Sequence, residues 1–161
     1  MKVSGSYTLP VALERAYHLL QDPASLGQAM PGCESLEKIG PNEYHMKMKV
    51  LLAALSGQFE GKVRIAEQTP PTSFRLIVEG SGRIGFLKGD GFLKLSSAAT
   101  VGDLSTAPSQ RPSTVVSYEG EAQVGGTMAA VGQRLIDGTA KMMIKKFFDK
   151  LVSLASDSRN S

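Results

Sequence analysis

The chain has 161 residues, 42% of them hydrophobic and 20% charged, values near the globular average that suggest neither disorder nor a membrane-spanning protein. A chain of this size hides about 68–70% of its unfolded surface in one domain, so a single core is expected over 1–155, followed by a short polar tail at 156–161. The 18 Lys and Arg against 15 Asp and Glu lack the clustered basic character of a nucleic-acid binder, and no nucleic-acid partner is expected.

One cysteine, Cys33, cannot close an internal disulfide, which points to a reducing cytoplasm. Met1 to Leu9 lacks the basic-then-apolar order of a signal peptide. No apolar run approaches the ~18 residues that span a bilayer, so any membrane contact would be peripheral, at the inner face of the cell membrane.

From the start, Val3, Gly5, Tyr7 and Leu9 alternate with Lys2, Ser4, Ser6 and Thr8, which predicts a strand that Pro10 ends. Over Val11 to Gln21, Leu13, Ala16, Tyr17 and Leu20 share one helical face. Asp22 and Pro23 supply an N-cap and a first-turn proline for a second short helix, running to about Met30 before Pro31 and Gly32 stop it. Period-two alternation then marks strands at Asn42 to Leu52 and Gln58 to Glu67. Two more follow Pro70 and Pro71, at Ser73 to Glu79 and about Arg83 to Ser96. Gly85, Gly89 and Gly91 inside the last one permit bulges and sharp curvature. Ser96 to Ser113 is aperiodic and reads as a long connection. A last strand covers Thr114 to Val124. Gly125 and Gly126 break it, and Thr127 caps a helix of roughly 28–30 residues ending near Ala155. The expected order is strand, two helices, six strands, long helix, with five of those six strands placed by their period: an α+β antiparallel sheet covered by one major helix.

In that helix Ile136, Ala140, Met143, Phe147, Leu151 and Leu154 form one apolar stripe, and Met128, Val131, Leu135 and Met142 an adjacent one. Arg134, Asp137, Lys141, Lys145 and Asp149 lie opposite, with Asp137 and Lys141, and Lys145 and Asp149, spaced as ion pairs. Such a face ordinarily packs on a sheet, but part of it can line a cavity. Met46, Met48, Met142 and Met143 offer unbranched, polarizable side chains that adapt to varied ligands. Lys141, Lys145, Lys146 and Lys150, near Phe147 and Phe148, form a basic stripe that is either solvated surface or a contact for an anionic membrane or a partner.

Signals for catalysis or metal binding are weak. Gly80, Gly82 and Gly85 imitate a dinucleotide-binding fingerprint, yet that motif must open a helix, and here a strand follows. His18 and His45 lie in different elements and Cys33 falls in a loop, so a zinc site is not expected. A Cys33–His45 nucleophile pair is conceivable, but a lone thiol is usually inert. Asp90, between Gly89 and Gly91, reads as a turn or bulge residue. No catalytic residue, cofactor or metal ligand is assigned.

Four blocks carry a family resemblance: DPASLGQAMPGCE at 22–34, EGKV at 60–63, GFLKGDG at 85–91 and YEGEAQVGGTMAAVGQRLIDGTAKMMIKKFF at 118–148. They closely resemble the carbon monoxide dehydrogenase CoxG family. The resemblance implies a helix-grip fold of the START-like (SRPBCC) superfamily, a seven-stranded curved antiparallel sheet gripping the C-terminal helix around an apolar cavity. It also implies a non-catalytic accessory that associates with a molybdenum-containing carbon monoxide dehydrogenase or related hydroxylase, is recruited to the membrane, and carries a lipid or respiratory quinone. Family members often carry a further C-terminal segment able to anchor in a membrane. This sequence stops soon after the helix, so either weak membrane binding or an anchor outside it is expected.

Inward strand parity proposes Met46, Met48, Phe59, Val63, Phe74, Leu76, Phe86 and Tyr118 as cavity lining, and the helix face adds Leu135, Met142 and Met143. Two alternatives compete. One is a polyketide cyclase or hydrolase type of enzyme, in which Tyr44, His45, Asp90 and Tyr118 would converge. The other is an assembly or membrane-recruitment factor with a filled core and no ligand.

Overall fold

The computed structural model describes residues 1–50, 56–98 and 112–159, with side chains as far as Ala155. Strand β1 (Lys2–Leu9) leads into helices α1 (Leu13–Leu19) and α2 (Pro23–Ala29). Strands β2 (Cys33–Gly40), β3 (Glu43–Val50), β4 (Gly57–Thr69), β5 (Ser73–Gly82), β6 (Gly85–Ser97) and β7 (Thr114–Gly125) follow, and α3 (Gln133–Arg159) ends the chain. The strands form one antiparallel sheet in the order β1-β7-β6-β5-β4-β3-β2. Sequential hairpins thus run from β2 to β7, and β1 returns to close beside β7.

Two expectations need correction. Cys33, expected in a loop, opens β2, an edge strand whose pairing with β3 shifts between Cys33 and Ser35 and again between Lys38 and Gly40. Those shifts break the alternation by which the other strands are legible. The final helix, expected from Thr127, begins at Gln133, and Met128 and Val131 belong to a separate 3-10 helix, Gly126–Val131. Gly126 (φ +76°) and Gly132 (φ +103°) cause the division, because a continuous α-helix cannot pass through positive φ. At its other end α3 passes Ala155 and reaches Arg159. The expected strand end at Leu51 and Leu52, and positions 99–111 of the expected long connection, lie outside the described residues. At the base of that connection the Ala98 amide donates to the Ser113 carbonyl at 2.9 Å.

The glycines of β6 cause no bulge, since β6 pairs with β5 and β7 without a register shift. The bulge lies instead in β4, between Ala66 and Thr69, where Glu67 adopts φ +46°. It brings Gln68 across the end of the sheet: the Gln68 amide donates to Gln21 at 2.6 Å, and Asn42 donates to Gln68 at 3.1 Å. On the outer face Arg75 binds both Glu67 and, at 2.6 Å, Asp90. Asp22 caps α2 without a side-chain bond to the helix backbone; its carboxylate accepts from the Ser25 hydroxyl at 2.9 Å instead.

A flat sheet of this many strands would be roughly 29 Å wide, against about 10 Å for a helix. Yet one buried cluster joins Leu9, Tyr44, Val63, Phe74, Leu93 and Val116 from six strands with Phe148, Leu151 and Ala155 of α3. Only a curved sheet can do this. Phe148 is the pin: its ring stacks on Tyr7 at 4.3 Å and on Tyr118 at 5.8 Å, with Phe147 edge-on at 5.2 Å. Helix α1 closes the opposite corner, where Tyr17 packs edge-on to Phe74 at 5.7 Å and its hydroxyl donates to the Ser73 carbonyl.

Candidate ligand-binding site

The concave face is set by strand register. Tyr44, Val63, Val78, Gly89 and Ala122 occupy one cross-strand row, and Met46, Gly61, Gly80, Leu87 and Val124 the next. In the row beyond, Ile65, Leu76, Gly91 and Gly120 are partners. Five glycines therefore meet near the middle of the inner face, for two different reasons. At Gly61 and Gly120 a Cβ would strike the neighbouring backbone, the Glu79 carbonyl in the first case and the Asp90 carbonyl in the second. At Gly80, Gly89 and Gly91 the nearest atom to a Cβ would be 3.6 to 4.0 Å away, an ordinary contact. Nothing crowds these three positions, so no neighbour forces glycine there.

Toward the end of the sheet lies a cleft of about 420 Å³ bounded by Met1, Phe86, Ala122, Gln123, Val124, Ala129, Gln133 and Ile136. Ala122 pairs directly with Gly89, and Val124 with Leu87, so the cleft is one end of the same concave surface. Its roof is the 3-10 helix and the first turn of α3. The Met128 amide donates to the Ile84 carbonyl at 2.5 Å, holding that roof to the β5–β6 hairpin. A volume of this size falls within the usual range for small-molecule sites.

The residues expected to line a cavity divide into three groups. Met46, Met48, Val63 and Phe74 are buried in the core. Phe59, Leu76, Tyr118 and Met143 are half-buried and pack against that core, so each keeps part of its surface free, and Met142 on α3 is half-buried as well. Phe86 and Leu135 are exposed, at 42% and 41%. Phe86 has the outward parity of β6, opposite to Leu87 and Gly89, and reaches the cleft because its ring lies over Gly125, the end of β7. Periodicity places Ala122 and Val124 on the inner side of the last strand without singling them out for a cavity, and Met1, Ala129 and Gln133, at element ends, carry little pattern. It assigns Ile136 only to the packing stripe.

The lysines of α3 are all exposed, and Lys145 is engaged with Asp149 at 2.7 Å. Asp137, expected to pair with Lys141, accepts from the Gln133 amide at 2.9 Å. Phe148, expected beside the lysines, is buried beneath them at 3% exposure.

The residues that an enzyme of the cyclase type would bring together do not meet. Tyr44 is buried on the inner face, while His45, its neighbour in β3, lies on the outer face with Glu60 at 3.7 Å. Asp90 is on the outer face with Arg75. Register sets Cys33 opposite Met48 but His45 opposite Glu37. Burial pushes the Cys33 thiol up, and the nearby Glu34 carboxylate adds to it, which disfavours the nucleophilic thiolate. Burial likewise raises the Tyr118 phenol, with Tyr7 contributing. Among the described residues, no group of three or more His, Cys, Asp or Glu could hold a metal ion, and no helix is long and apolar enough to cross a membrane.

A curved antiparallel sheet that holds one long helix, with two short helices after its first strand, is the helix-grip architecture of START-like proteins. The solved structures agree. A START superfamily protein from Mycobacterium smegmatis superposes with a TM-score of 0.69 at 10% identity, covering 97% of each chain. The Zhui aromatase/cyclase from Streptomyces sp. R1128 gives 0.62 at 11% identity, over 97% of this chain and 93% of that one. A conserved protein from Geobacillus kaustophilus is much nearer, with a TM-score of 0.86 and 31% identity over 98% of this chain and 97% of that one. A search of curated proteins finds no match. Residues 5–156 match the model of the carbon monoxide dehydrogenase CoxG family, and the chain belongs to that family of accessory subunits.

Proposed function

We propose that the protein is a non-catalytic carrier that holds a lipid or respiratory quinone under α3 and works beside a molybdenum-containing carbon monoxide dehydrogenase or related hydroxylase. One observation carries the ligand: the inner face has three unforced glycines, Gly80, Gly89 and Gly91, and its Ala122 and Val124 border the 420 Å³ cleft. Half-buried Leu76, Val78, Tyr118 and Met143 supply apolar walls, which suit a ligand held by burial. The dehydrogenase partner is supported by family membership.

Solvent extraction of the purified protein followed by mass spectrometry tests the cargo. An isoprenoid quinone or lipid in near-stoichiometric amount is expected, and an empty extract from protein purified without detergent contradicts it. Co-purification from the native host tests the partner, with dehydrogenase subunits expected in the same fraction. Tyr44, His45, Asp90 and Tyr118 do not converge, so no specific observation favours the cyclase alternative.

A further inference from the structure

We infer that the 3-10 helix, Gly126–Val131, is a lid over the cleft, hinged at Gly126 and Gly132, that opens to admit and release the ligand. The lid presupposes the carrier reading, since the cleft it covers belongs to the proposed site.

The chain on either side of the lid is fixed. Gly125 pairs with Phe86 at the end of β7, and Ile136 is buried in the first turns of α3. Between them the backbone passes twice through positive φ, at Gly126 (+76°) and Gly132 (+103°). A Cβ at Gly132 would meet no atom within 4 Å, so packing does not hold that angle and glycine can leave it at low cost. Gly126 is instead part of the closed seat: a Cβ there would strike the Gly85 Cα at 2.7 Å, and the lid reaches the β5–β6 hairpin only because neither residue has a side chain.

Little else holds the segment down. It contains no buried residue. Among the described residues, its one backbone bond to the hairpin runs from the Met128 amide to the Ile84 carbonyl, and the Met128 Cβ lies against Gly85. A 3-10 turn also has poorer hydrogen-bond geometry than an α-helix. A segment with so few ties opens at a small fraction of the cost of global unfolding. Its position makes such opening useful, because Ala129 borders the cleft beside Gln133 and Ile136, the residues just past the hinge, with Phe86 on the other rim. Lifting Ala129 uncovers the cleft while Phe148, Leu151 and Ala155 keep α3 in place. Gly138 is the competing hinge, since a Cβ there would also meet nothing within 4 Å. It lies inside α3 beyond buried Ile136, so bending there would lift a core residue.

Hydrogen exchange of the ligand-free full chain, read residue by residue by NMR, tests the hinge. The amides of residues 127–131 should exchange at least about 100-fold faster than those of residues 144–151. Stopped-flow binding of decylubiquinone tests the gate. Met128→Ala loosens the seat at a residue that does not border the cleft. It should raise the association and dissociation rates together, about threefold or more, with the affinity within about twofold of the parent. Gly138→Ala, which stiffens α3, should raise the melting temperature and leave both rates unchanged. Lid amides as protected as those of residues 144–151 would overturn the lid, as would parental rates in Met128→Ala, or an affinity loss through dissociation alone, which marks a ligand contact. Slower binding in Gly138→Ala would move the hinge into α3 and contradict it equally. Exchange and binding separate the two claims. Fast lid exchange in a protein that takes no quinone refutes the carrier reading alone, whereas saturable binding under a lid as slow as the helix refutes the lid alone.

Discussion

Phe148 shows how one side chain can set the position of an entire helix. It is 3% exposed and stacked on both Tyr7 and Tyr118, so Phe148→Ala should cost about 3–5 kcal/mol in denaturant unfolding. Phe86→Ala, at 42% exposure, should cost about 0.5 kcal/mol or less. Sequence spacing puts Phe148 near the basic stripe, although its spacing to Ile144, Leu151 and Ala155 is the stronger helical signal. The neighbouring lysines obscure it. Cys33 gives a second residue-scale test. Its thiol is pushed up by burial, so alkylation at pH 8 should be slower than for a free cysteine thiol, whose pKa is about 8.5. The protonated form is favoured only in the folded state, so its contribution to stability is present below that value and is lost as pH rises through the elevated one. Replacing Cys33 with Ala should flatten the alkaline fall in melting temperature.

At the scale of elements, strands with strict alternation are legible in the sequence and the interrupted ones are not. β3, β4, β5, β6 and β7 fall within a few residues of their expected places, whereas β2 escapes detection because two register shifts erase its period. The start of α3 is misplaced for a related reason: Met128 and Val131 continue the apolar pattern, while Gly126 and Gly132 break the backbone. Parity identifies inner-face residues such as Met46 and Leu76, but an alternation of apolar residues cannot say which are covered by helices and which face a hollow. The glycines make that distinction testable. Gly61→Ala should destabilise by about 1–3 kcal/mol because its Cβ would meet the Glu79 carbonyl. Gly89→Ala should be tolerated, its nearest neighbour being 4.0 Å away. Arg75 joins two exposed carboxylates, and screened pairs of that kind contribute little; Arg75→Ala should leave the melting temperature within a few degrees of the parent.

For the whole molecule, curvature links the fold to the proposed function. A seven-stranded sheet wrapped on a single helix is filled where Phe148, Leu151 and Ala155 reach the floor. It is less filled toward the other end, where Ala122 and Val124 border a cleft under the start of α3. The core thus supplies stability at one end, and the proposed carrier function assigns the apolar guest to the other. Filling the inner face should separate binding from folding, and Gly89→Leu starts from a position whose Cβ has ordinary clearance, 4.0 Å from the Glu121 carbonyl. The most direct measurement is a calorimetric titration of a short-chain quinone into delipidated protein and into the Gly89→Leu variant. Saturable one-to-one binding that weakens about tenfold or more in a variant of unchanged melting temperature is predicted. Absence of saturable binding, or equal affinity in the two proteins, would contradict a ligand held on the glycine-bearing inner face.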